Sequence, residues 1–81
     1  MNNENTHLQA AIAAMQRKDM ITATVEATKA IQSDPQCYEA YIIRGQISMA
    51  YGDKRGAAED MKRALELRPD LQEQLSGQFK N

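Results

Sequence analysis

Two prolines 34 residues apart, Pro35 and Pro69, each stand beside an aspartate in the turn signals Asp34-Pro35 and Pro69-Asp70. Turn signals at a fixed interval restrict the chain to folds in which one short unit recurs, so internal repetition is the first property to read. Residues 4–37 laid over 38–71 without a gap pair Met15 with Met49, Asp19 with Asp53, Ala23 with Ala57, Ala30 with Ala64 and Pro35 with Pro69. Similar residues keep the same register: Ala11 with Gly45, Glu26 with Asp60, Lys29 with Arg63 and Ile31 with Leu65.

Within each unit the apolar spacing is helical. Leu8, Ala11, Ile12 and Met15 fall at i, i+3, i+4 and i+7, which predicts a first helix from Glu4 to about Arg17. Lys18-Asp19 makes a turn, and Asp19 or Thr22 can cap a second helix over Met20 to Ser33, where Ile21, Val25, Thr28 and Ile31 alternate with Ala23, Ala27 and Ala30. Asp34 reads as a cap and Pro35 as the first residue of a third helix running to about Tyr51. Gly45 in its middle costs about 1 kcal/mol relative to alanine, which calls for a close crossing by the next helix. Gly52 stops that helix in a left-handed conformation and Asp53 caps a fourth, from Lys54 to Leu67, with Ala57, Ala58, Met61, Ala64 and Leu65 as its stripe and Pro69 as its stop. Asp70, followed three residues on by Glu73, reads as the cap of a last helix over 70–80 whose narrow stripe is Leu71, Leu75 and Phe79.

Tyr41, Gly45, Ala57, Met61, Ala64 and Pro69 sit at the spacing of the tetratricopeptide pattern. The chain thus resembles the tetratricopeptide repeat family over two repeats, 4–37 and 38–71, with 70–80 as a capping helix. The resemblance implies a single all-α domain over residues 1–81: a right-handed α-α superhelix of antiparallel helix pairs, five helices in all. His7, Ala10 and Ala14 in the first unit, and Arg44 and Ser48 in the second, depart from the residues the family favours at their positions. Phe79 falls one period after Gly45, where a large side chain is acceptable if no helix follows, and so marks the last helix as an end cap.

Charge and composition narrow the function. A net charge of −1 gives no long-range field toward nucleic acid or an anionic membrane, and Asp53, Glu59, Asp60 and Glu66 offset the basic set Lys54, Arg55, Lys62 and Arg63. Glu59, Asp60 and Glu66 read as the solvated face of the fourth helix. The longest apolar run, Ala10 to Met15, is far short of the roughly 20 residues that span a bilayer. The polar start lacks the basic and apolar regions of a secretory signal, so a cytoplasmic setting is expected. One histidine and one cysteine cannot make a zinc set, no phosphate-binding loop is present, and His7 with Cys37 lacks a third, orienting residue. No enzyme and no cofactor are expected, and Cys37 reads as a small apolar filler. Eighty-one residues bury only about 60% of the unfolded surface, and two repeats are fewer than the roughly three that stand alone, so the last helix or a second copy must complete the core.

In the family that the chain resembles, partner peptides lie on the concave side formed by the first helix of each pair. Carried over residue by residue, those positions are Asn5, Leu8, Ile12, Met15 and Gln16, then Glu39, Ile42, Gln46, Met49 and Ala50. Leu8 and Ile42 stand where relatives that grip chaperone C-terminal carboxylates need cations, and an apolar wall would desolvate such an anion without pairing it. The groove therefore reads as a site for an apolar or amphipathic peptide segment, with methionines that adapt to its shape. The expected function is a non-catalytic protein-interaction module. The alternative is a self-assembling scaffold unit whose partner is a second copy of the chain.

Overall fold

The computed structural model describes residues 5–71. Among them are four helices, α1 (Thr6–Gln16), α2 (Met20–Ser33), α3 (Tyr38–Ala50) and α4 (Lys54–Leu67), and no strand. The turns between α1 and α2 and between α3 and α4 are only three residues long, so each pair lies antiparallel.

Local chemistry sets these boundaries, and it does so twice. Asp19 caps α2 by accepting from the Thr22 N–H (3.2 Å), and Asp53 caps α4 by accepting from the Gly56 N–H (2.9 Å). Each pair turns through one left-handed residue, Lys18 (φ 65°) and Gly52 (φ 85°). The hydrogen bonds around that residue coincide: Asp19 N–H donates to Ala14 O and Asp53 N–H to Ser48 O, both at 2.8 Å, while Lys18 N–H donates to Met15 O and Gly52 N–H to Met49 O, both at 3.0 Å. This is the Schellman closure of a helix C-terminus, and here it recurs at the 34-residue interval.

Three expected boundaries change. The first helix begins at Thr6, not Glu4, because Asn5 is its extended N-cap (φ −90°, ψ 102°). The third begins at Tyr38 and not at Pro35: the Asp34 carboxylate accepts from the Gln36 N–H (3.1 Å) within a turn, the Cys37 N–H donates to Asp34 O (2.9 Å), and Cys37 is the N-cap. An aspartate before a proline is pushed to extended backbone, which ends α2 and delays α3. Pro69 follows the end of α4 at Arg68 and opens a new helical segment over residues 69–71. Asp70 lies inside that segment and does not cap it; its carboxylate accepts from Arg68 Nε (2.8 Å) and Nη2 (2.6 Å). The remainder of the expected helix over 70–80 lies outside the described residues.

The core is built on small side chains. Ala11 and Ala14 of α1 meet Ala23 and Ala27 of α2, and Ile43 and Ile47 of α3 close the cluster, with Leu8, Met15 and Met20 at its edge. A second cluster joins Ala30, Cys37 and Ala40, with Leu8 and Ile31 against it. Alanine faces let helix backbones approach closely, and two isoleucines then supply the bulk, each stabilising by about 1.5–3 kcal/mol when fully buried. Gly45 faces α4: a Cβ there would lie 3.4 Å from Ala57 O and from Asp60 Cβ. A methyl group would therefore touch α4 without overlap, while anything larger would push the helices apart.

Each helix packs on its neighbour in sequence, and α1 also touches α3, whereas α2 and α4 share no contact among the described residues. First helices close together and second helices splayed apart are the geometry of a stack that bends toward α1 and α3.

Candidate functional site

The α1/α3 side carries all ten residues expected to hold a partner, and the structure distributes them among different environments. Asn5 is tied up at the start of α1. Its side-chain oxygen accepts from the His7 and Leu8 N–H groups (3.1 and 3.2 Å), and its amide donates to Ala30 O on α2 (3.1 Å). Leu8 packs against both clusters, and Met15 packs against the larger one. These three residues hold α1 in place before they could contact a ligand.

The open part of the face is formed by the others. Ile12 is 37% exposed and Met49 56% exposed, Ile42 is half-buried, and Gln16, Glu39, Gln46 and Ala50 are exposed. Ile42 belongs to neither buried cluster. Glu39 has one local partner, the Cys37 thiol, which donates to its Oε1 at 3.8 Å. The accessible apolar residues of this side are thus Ile12, Met49 and the half-buried Ile42, among amides and one carboxylate.

Behind it stands an ion pair that sequence reading missed. Arg44 donates through Nε and Nη2 to the two carboxylate oxygens of Asp60, both at 2.9 Å, and its Nη1 reaches Thr28 Oγ1 at 3.5 Å. Asp60 is only 8% exposed, a correction to its expected place on the solvated face of α4. The Asp60 carboxylate holds the Arg44 pKa above the ordinary arginine value. One guanidinium thus joins α2, α3 and α4, with its Cζ 6.0 Å from the Tyr41 ring centre. The available signal was the arginine at a position where the repeat pattern asks for leucine, since a charge on a buried helix face requires a counter-charge nearby. At the other end of the pair, Arg68 lies 4.7 Å over the Tyr38 ring and ties the start of α3 to the end of α4.

The first unit answers with a weaker link, His7 Nδ1 to Glu26 Oε1 at 2.7 Å, in which the histidine is substantially exposed. Cys37 is buried at the base of α3, and burial pushes its thiol pKa up, the opposite of what a nucleophilic cysteine needs. No three of the described His, Cys, Asp and Glu side chains converge as a metal-ligand group, and no described helix is long and apolar enough to cross a membrane. Comparison of the chain with models of protein families, with curated proteins and with solved structures returns no match.

Proposed function

We propose that the chain is a non-catalytic protein-interaction module of the tetratricopeptide type, acting in the cytoplasm, whose α1/α3 face takes an apolar or amphipathic peptide segment. The observation that carries this reading is the open strip of Ile12, Ile42 and Met49 on the side toward which the stack bends. Apolar side chains left accessible on a concave face lose water only when a partner covers them, and a methionine among them adapts to varied partner shapes. The period in the turns and caps supports the family reading, because cap chemistry, left-handed residue and closing bonds all recur at 34 residues.

The test uses the 81-residue chain with 13C-labelled methionine methyls and a synthetic amphipathic helical 15-mer of leucine, alanine and lysine. Saturable shifts of the Met49 methyl, abolished by Met49→Glu together with Gln46→Glu while the fold is kept, are expected. Shifts spread evenly over the methionines, or binding unchanged in the double variant, would contradict it.

A further inference from the structure

Glu39, Ile42, Gln46 and Met49 recur at three- and four-residue intervals, so they form one stripe along α3. Glu39 opens that stripe in the first turn of the helix. Beyond its far end stands Lys54, the first residue of α4, which lines the same cavity of about 360 Å³ as Gln46 and Met49. Both charged side chains are exposed, and neither forms an ion pair among the described residues. The neighbours of Lys54 are engaged, Asp53 as the cap of α4 and Arg55 with Glu59 (3.8 Å). The stripe therefore has an acid at one end, a base at the other and apolar side chains between them.

A partner that matches this order carries a base where it meets Glu39 and an acid where it meets Lys54. Ala50, the last residue of α3, lies eleven residues beyond Glu39, about 16 Å along the helix. A helical segment of about three turns covers that length with its interior N–H and C=O groups paired within itself. An extended segment would bring unpaired backbone groups onto Ile12, Ile42 and Met49, where the polar side chains at hand are Gln16 and Gln46. The helix dipole then sets the direction. Acids are favoured in the first turn of a helix and bases in the last, so a stable ligand helix seats its N-terminus at Lys54 and its C-terminus at Glu39, antiparallel to α3. None of the four described helices of this chain has a base in its last turn, and only α3 has an acid in its first. A second copy thus offers no matching helix among its described residues, and the charge order points to another protein.

We infer that the partner of this face is a helical segment of another protein, about three turns long, with Asp or Glu in its first turn against Lys54, Lys or Arg in its last turn against Glu39, and apolar side chains between. This rests on the peptide-binding reading of the α1/α3 face and adds to it the charge order and direction of the ligand.

The probe is a synthetic 15-mer with glutamates in its first turn, lysines in its last and a leucine stripe between, set against the same peptide with glutamine at every charged position. At low salt the charged peptide should bind the 81-residue chain about fivefold more tightly than the neutral one. The difference should fade as salt rises, and should be lost in the paired variant Glu39→Gln with Lys54→Gln, which separates it from the peptide's own helicity. A nitroxide on the N-terminus of the charged peptide should broaden the Met49 methyl signal more than one on its C-terminus, and Glu39→Lys with Lys54→Glu should reverse that order. Equal affinity of the two peptides for the parent chain, or stronger broadening from the C-terminal label, would overturn the inference while leaving the face a peptide site. Binding of neither peptide would overturn it together with the proposed function. A parent chain that is dimeric by light scattering, and that the charged peptide does not dissociate, would overturn it in favour of a second copy as occupant.

Discussion

The two helix pairs share a backbone frame and differ in what they put inside it. At the turn, the first pair holds a lysine in the left-handed region and the second a glycine, yet the flanking hydrogen bonds match within the same tenth of an ångström. At the centre, the first pair has an all-alanine seam with a half-open His7–Glu26 link, while the second has Gly45 and the buried, two-pronged Arg44–Asp60 pair. The difference teaches that the repeat is defined by its caps and close crossings, and that the interhelical link at residues 26 and 60 is free to change from a single contact into a two-pronged clamp.

Removing each acid sharpens that contrast most. Asp60→Ala leaves the Arg44 guanidinium without its carboxylate in a largely closed site and should destabilise by about 2–3 kcal/mol. Glu26→Ala breaks a single contact to a half-exposed histidine and should lie below about 1 kcal/mol. Adding Arg44→Leu to the Asp60→Ala background should return much of the loss, because no charge is then stranded. Equal costs for the two single variants in urea titrations would break the comparison.

Gly45 gives the next effect. Gly45→Leu should cost about 1–3 kcal/mol by prising α4 from α3. Gly45→Ala should be neutral or stabilising by up to about 1 kcal/mol, since the methyl group meets its neighbours at contact distance and alanine is the better helix former. A large loss for the alanine variant would mean that α3 and α4 approach more closely than 3.4 Å allows.

The turns give the smallest pair, with opposite signs. Lys18→Gly relieves a left-handed lysine and should stabilise by about 1 kcal/mol, and Gly52→Ala should cost about as much. Shifts of the same sign in thermal melts would show that the matched hydrogen bonds do not report matched backbone strain.

How much of this was legible follows from where each signal lies in the sequence. The bounds of α2 and α4 were readable because Asp19 and Asp53 act on N–H groups three residues away, as was the left-handed stop at Gly52. Its partner Lys18 gave no such signal, because lysine carries no preference for that conformation and adopts it here through the closing bonds. The start of α3 was misread because aspartate before proline serves equally as a helix cap or as a turn, and only the Gln36 bond decides. The Arg44–Asp60 clamp joins two helices and depends on their crossing, which no local spacing specifies. For the same reason the ten expected groove residues could be named from the resemblance but not divided into Asn5, Leu8 and Met15, which secure α1, and Ile12, Met49 and the half-buried Ile42, which keep access to solvent.

The central claim is that this open strip is surface in the free chain, and charge placed on it is the most direct measurement. Far-ultraviolet circular dichroism of Ile12→Glu and Ile42→Glu should give helical content close to the parent, because a carboxylate at either position can reach water until a partner covers it. Loss of helix in both variants would contradict the account and return these residues to the core.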